Sequence, residues 1–473
     1  MYPTKRLAVL SALLLGAGLA AAGPAPASAS PAPTGGRVVS AYFADWDVYG
    51  RGYYAKDIPA DKLNVIQYAF GVPTFDKATG TVGCSVLDPW ADFQQPYWSG
   101  ANSVDGVADD PSNPAQHLFG SFNQMRKLKA AHPNVKVEIS LGGWTKSTWF
   151  ADVSATPERR QAFASACIDT FIKGNLPTGG WPEAAGGPGA AAGVFDGIDL
   201  DWEYPTAVGG GNVDFGPADR HNATLLAQEF RRQLDALGRT THTHYLLTGA
   251  LPASRTVSRY YELRQFVSTL DWVNVMTFDF NVPGGTVAAP DTLFLPDARD
   301  PNARDWTWNT VGTVGWYLGN GVPADKIVVG VPFYGNQYIR TQSKLYGPFD
   351  NRGLNPNSLV FDEKPQPSYH DLVDVAQVVN AGGFTRYWDA QAGEPWLFNP
   401  AQAHHLCTSF NADGSCANPW SETVPTVVTY TDPRSVSERT ALVRCARLRG
   451  LFAWEVSQDS NDHALLTQMA TVG

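Results

Sequence analysis

Eight short β-rich segments recur along this chain, most followed by a helical pattern, and that alternation narrows the possible folds most. They fall at residues 38–43, 64–70, 135–141, 194–201, 245–250, 272–277, 326–332 and 450–456. Strands separated by helices pair in parallel, because a parallel neighbour is reached only by crossing back over the sheet. Eight such units predict an α/β fold, a closed (β/α)8 TIM barrel whose functional groups gather at the C-terminal strand ends. An open doubly wound sheet is the alternative, but no Gly-x-Gly-x-x-Gly loop follows the first strand. Helices are legible at residues 158–173 and 222–237, where Phe163, Cys167 and Phe171, then Leu226, Phe230 and Leu234, form apolar stripes. Asp432-Pro433-Arg434-Ser435 opens the last helix, with Ser435 and Glu438 at capping-box spacing.

Two stretches break the rhythm. Residues 71–116, with Pro89, Trp90, Tyr97 and Trp98, read as a long loop after the second strand, and long loops are often functional. Residues 341–430 separate the seventh and eighth strands. Barrel sequence then covers 37–340 and 431–473.

The fourth strand carries the chemistry. In Phe195-Asp196-Gly197-Ile198-Asp199-Leu200-Asp201-Trp202-Glu203-Tyr204, period-two alternation puts Asp199, Asp201 and Glu203 on one face and Ile198, Leu200 and Trp202 on the other. Three carboxylates crowded together are costly, so at neutral pH at least one tends to keep a proton. A protonated carboxyl beside ionised ones suits acid-catalysed bond cleavage. A solvated acidic edge or a loose metal site are the plain alternatives.

The pattern Asp-x-x-Asp-x-Asp-x-Glu, here Asp196, Asp199, Asp201 and Glu203, resembles the catalytic signature of glycoside hydrolase family 18, the chitinases. Further motifs arrive in order. Ser140-Leu141-Gly142-Gly143-Trp144 resembles the family's Ser-x-Gly-Gly. Met276-Thr277-Phe278-Asp279, Gly330-Val331-Pro332-Phe333-Tyr334-Gly335 and Phe452-Ala453-Trp454-Glu455 resemble its later strand ends. Tyr42-Phe43-Ala44-Asp45-Trp46 resembles the opening of secreted bacterial members, and 341–430 their small α+β insertion between strands seven and eight.

The resemblance implies a retaining hydrolase of β-1,4-linked N-acetylglucosamine acting on chitin or chitooligosaccharides, with no cofactor and no metal. Glu203 is then the general acid. Asp201 orients the substrate's acetamido group, whose oxygen attacks the anomeric carbon, and Asp199 helps to distribute one proton over the cluster. Asp196 is structural. Trp454 is implied as the floor beneath the sugar. Asp279, Met276, Tyr334, Tyr42, Tyr204 and Phe278 would surround it, with Trp46 and Trp144 as platforms. Trp388 and Trp396 in the insertion read equally as packing or binding residues. One departure stands out: many members carry Tyr where this chain has Phe278, a lost hydrogen bond worth roughly 1.5–3 kcal/mol toward a developing charge. His370 departs too, where related insertions often carry Arg. An endo-β-N-acetylglucosaminidase acting on N-glycan cores is the rival within the family, and a chitin-binding lectin the rival outside catalysis; the latter typically loses the Glu that stands here as Glu203.

Composition sets the surroundings. A formal net charge of -10 argues against nucleic acid or an anionic membrane as partner. Aromatic residues make up 12 % of the chain and include 15 Trp, which suits stacking on sugar rings but also core packing. Lys5 and Arg6, the apolar run 7–22 and Ala27-Ser28-Ala29 read as an export signal over 1–29, followed by a flexible lead-in at 30–36. The expectation is a secreted, extracellular monomer. Of the five Cys, Cys407 and Cys416 flank a turn-like loop and suit a local disulfide. Cys167 and Cys445 read as buried thiols on helices, and Cys84 stays open. The adjacent His404 and His405 read as surface or loop residues.

Overall fold

A computed structural model describes residues 36–379, 381–412 and 414–473. The export signal at 1–29, and the lead-in at 30–36 apart from Gly36, lie outside the described residues. Eight parallel strands close on themselves: β1 (Val38–Ala44), β2 (Val65–Phe75), β3 (Lys136–Gly142), β4 (Gly197–Asp201), β5 (Leu246–Pro252), β6 (Val273–Met276), β7 (Ile327–Pro332) and β8 (Gly450–Trp454). Each pairs with the next, and β1 pairs with both β2 and β8, which shuts the barrel. All eight segments expected as strands are strands, their ends moved by a few residues.

The alternation in β4 sorts the layers. Ile198, Leu200 and Trp202 are buried on the outer face, in one apolar cluster with Phe163 and Phe230 from the helices Pro157–Cys167 and Asp219–Thr241. Burying each such side chain contributes roughly 1.5–3 kcal/mol, which pins the register of the strand. Asp199 and Asp201 therefore have one place to go, the barrel interior.

Several local expectations are corrected. The stretch after β2 is not all loop: β2 runs on to Phe75 and forms an antiparallel hairpin with Val82–Val86. Ser435 does not cap its helix. Asp432 does, accepting the Ser435 N–H at 2.9 Å, with Pro433 opening the first turn. Nor is that helix the last, since Ala464–Ala470 follows β8. Cys167 is buried but is no thiol; it is joined to Cys84 of the hairpin, and Cys407 and Cys416 form the expected local disulfide. Cys445 is exposed and free. His404 is buried, held by the Asp362 carbonyl at 2.7 Å and the Thr426 hydroxyl at 2.8 Å, while His405 faces solvent. The Cys84–Cys167 bond spans 83 residues, so Cys84→Ser should cost about 2–4 kcal/mol. Calorimetry would read that as a lower Tm in C84S under oxidising conditions, with no difference from the wild type once both are reduced.

Between β7 and β8 an antiparallel sheet forms in the order Thr385–Asp389, Glu394–Leu406, Trp420–Thr429, Asn336–Ile339. The strand of this sheet that comes first along the chain starts at Asn336, close behind β7. Trp388 lies under the guanidinium of Arg434, from the helix Pro433–Cys445, at 3.7 Å, and Trp396 stacks on Tyr387 at 4.4 Å.

Candidate active site

Asp199 sits wholly inside the barrel and collects four donors. The Tyr42 and Ser140 hydroxyls reach one oxygen at 2.7 and 2.8 Å; the Thr248 hydroxyl and Asn274 amide reach the other at 2.6 and 3.3 Å. Burial pushes this carboxyl up and the four donors pull it back. Asp201 has the opposite environment. Its Oδ1 is buried with no partner, and desolvation together with the charges of Glu203 and Asp199 pushes it well up. Of this pair, Asp199 keeps the charge and Asp201 keeps the proton.

Glu203 lies just beyond the end of β4, 7 % exposed. Burial first, and the charge of Asp279 after it, push its carboxyl up to about 7, against a hydrogen bond from Tyr204. Its backbone N–H donates to Ser147 Oγ at 3.0 Å, and that hydroxyl donates to the carbonyls of Gly143 and Asp201. The Gly142-Gly143 turn makes this possible. Both residues have positive φ, at 105° and 77°, and a Cβ on Gly142 would stand 2.5 Å from the Asp201 carbonyl. The Gly143 N–H instead donates to that carbonyl at 2.9 Å, and the next residue, Trp144, lines the same cleft as Asp201 and Glu203.

These groups open into a cleft of about 770 Å³ lined by Tyr42, Trp46, Trp144, Asp201, Glu203, Tyr204, Met276, Phe278, Asp279 and Trp454. Trp46 and Trp144 are half open to solvent, at 42 % and 52 %. Trp454 stacks on Phe70 at 6.0 Å and leans on Tyr42 at 5.2 Å. Tyr334 reaches the site through its hydroxyl, which donates to Asp279 at 2.9 Å, and its ring packs edge-on to Phe278. A hydroxyl therefore reaches Asp279, the residue that follows Phe278. Asp196 lies outside the cluster and pairs with Lys129 at 2.7 Å near the start of β3. His370 pairs with Asp374 and takes no part in the cleft lining.

Some site residues escaped the sequence reading. Glu138 on β3 points inward, wholly buried, and bonds to Gln67 and Thr248 near Asp199. The signal for it was a Glu alone between Val137 and Ile139, the same alternation as in β4. Ser147 gave no such signal. Among the described residues no group of three or more His, Cys, Asp or Glu is placed to hold a metal ion, and no helix is long and apolar enough to cross a membrane.

Comparisons with known proteins agree on one family. The family model described as glycosyl hydrolases family 18 matches residues 38–459. Chitinase A1 of Niallia circulans is 31 % identical over 455 residues, 89 % of this chain and 56 % of the relative. Chitinase C of Streptomyces lividans is 36 % identical over 315 residues, 64 % of this chain and 44 % of the relative. The chain thus spans about half the length of these curated relatives. Among solved structures, the catalytic domain of the psychrophilic chitinase B from Arthrobacter TAD20 superposes with a TM-score of 0.76 at 31 % identity, covering 92 % of this chain and 95 % of that one.

Proposed function

The chain belongs to glycosyl hydrolase family 18, and from that premise we propose that it is a secreted, monomeric chitinase cutting β-1,4 links between N-acetylglucosamine units with retention. The observation that carries the reading is Glu203, a buried carboxyl that holds its proton up to about pH 7 among aromatic walls suited to an uncharged sugar chain. Named relatives described as chitinases support the substrate class.

In this reading Glu203 protonates the glycosidic oxygen as the C–O bond breaks. No enzyme carboxylate attacks; the substrate's acetamido oxygen closes on the anomeric carbon to give an oxazolinium ion, outside the usual two-carboxylate scheme. Asp201, whose Oδ1 has no fixed partner, turns toward Glu203 and the acetamido N–H. Its proton passes to Asp199, whose hydroxyl donors Tyr42, Ser140 and Thr248 can rotate to accommodate it. The charge left on Asp201 stabilises the oxazolinium. Glu203 then takes a proton from water, which opens the ring from the face the leaving group left. Trp454 forms the floor, Trp46 and Trp144 flank it, and Asp279, Met276, Tyr334, Tyr42, Tyr204 and Phe278 hold the sugar or its acids in place. The N-terminal basic and apolar run, followed by small residues, supports export.

Product analysis on crystalline chitin, soluble chitooligosaccharides and an N-glycoprotein in parallel tests the proposal. Short N-acetylglucosamine oligomers from the first two, with the glycoprotein untouched, are expected. Release of N-glycans with chitin left intact would replace this reading by the endo-β-N-acetylglucosaminidase one.

A further inference from the structure

Asp279 is held in an unusual way. Its φ is 52°, in the left-handed region that few residues other than Gly occupy. One residue on a different segment secures it. Asp291 accepts the Asp279 N–H on a side-chain oxygen at 3.2 Å, and its backbone carbonyl accepts the N–H groups of Phe280 and Asn281 at 2.9 and 3.4 Å. The adjacent Thr292 hydroxyl donates to the Thr277 carbonyl at 2.7 Å. Asp291 is 3 % exposed, and its Oδ1 is buried with no donor at hand. A proton on Asp291 removes that orphan, because the neutral carboxyl then donates to the Asp279 carboxylate it touches.

We propose that Asp291 is a positioning residue of this active site: its carboxyl and carbonyl clamp the turn after β6 and hold Asp279 in the cleft that it lines with Glu203. The inference rests on the reading of Glu203 as general acid. Burial and the charge of Asp279 push Asp291 well up; burial raises Asp279 as well, and the hydrogen bonds from Tyr334 and Asp291 oppose that rise. Groups facing Asp291 are Asp279, the Tyr334 and Tyr338 hydroxyls, and Glu394, which is paired with Arg439 at 2.7 Å. Facing Glu203 are Asp201, Tyr204, Asp279, Tyr261 and Tyr334. With the clamp gone, Asp279 keeps only the Tyr334 donor and takes up a proton more readily. Glu203 then loses a negative neighbour, and its own proton leaves at lower pH.

The test compares wild type, D291A and D291N for kcat, KM and Tm on a soluble chitooligosaccharide across acidic to alkaline pH. D291A should lose roughly 10- to 100-fold in kcat, the worth of one hydrogen bond to a charged group. The alkaline limb of its kcat profile should move to lower pH, which a merely structural defect would not do. D291N can accept the Asp279 N–H and donate permanently to its carboxylate, so it should restore most of the rate and the position of the limb. D291S serves as the donor-displaced probe if D291A does not fold. A folded D291A or D291S with an unmoved limb, or a D291N displaced as far as they are, would overturn the inference. A wild-type protein that leaves the oligosaccharide uncut would instead overturn the functional reading beneath it.

Discussion

Glu203→Gln should lower kcat by roughly 10²- to 10⁴-fold, the usual worth of a positioned general acid, while chitooligosaccharide binding survives. The carboxamide matches the carboxyl in shape and can still accept the hydrogen bond that Tyr204 makes to Glu203. The Ser147 contact is to the backbone N–H and is untouched by the change. Only the transferable proton is lost. The wild-type profile carries the complementary sign: the acid must be protonated, so the rate should fall as pH rises through about 7. Turnover and binding of E203Q, measured together with Tm, separate loss of chemistry from loss of fold. Turnover close to wild type would remove Glu203 from the mechanism and with it the proposed function.

What the sequence made legible follows from periodicity and from local spacing. Ile198, Leu200 and Trp202 had to face the helices, so the acids between them had to face inward, and the barrel places both sets that way. The motif around Gly142 and Gly143 was visible by resemblance, but not that a Cβ on Gly142 would meet the Asp201 carbonyl. Partners brought together by closure of the barrel were another matter. Tyr42 lies 157 residues from Asp199 and Thr248 lies 49 away, yet both donate to it. The Cys84–Cys167 bond and the grip of Asp291 on Asp279 depend on how hairpins and loops fold back, which alternation does not encode. His404 misled because a buried imidazole in an antiparallel strand looks, in sequence, like its exposed neighbour.

The second large effect is on stability. Asp45 and Glu203 are pushed up to about 7 by burial, and Asp47, Asp92, Glu138, Asp201 and Asp291 are also pushed well up, chiefly by burial. In an unfolded chain these carboxyls lose their protons near pH 4, so between that point and about pH 7 the folded state binds more protons than the unfolded one. Stability therefore falls as pH rises through that window, and the protein should be most stable on the acidic side of neutrality. For Glu203 alone the displacement is worth roughly 3 kcal/mol, since each tenfold in proton affinity counts about 1.4 kcal/mol. Two kinds of group oppose the trend. Asp371, held below its ordinary range by Lys364, loses its contribution as pH falls through its lowered value. His404, buried and neutral, is destabilising below its ordinary titration point. They fix the acid edge of the optimum without cancelling seven carboxyls. Calorimetry from mildly acidic to mildly alkaline pH should find Tm falling by at least several degrees, and a flat or rising Tm would refute the argument. E203Q and D291N each remove one of the responsible protons, so each variant should lose Tm less steeply over the same range than the wild type does.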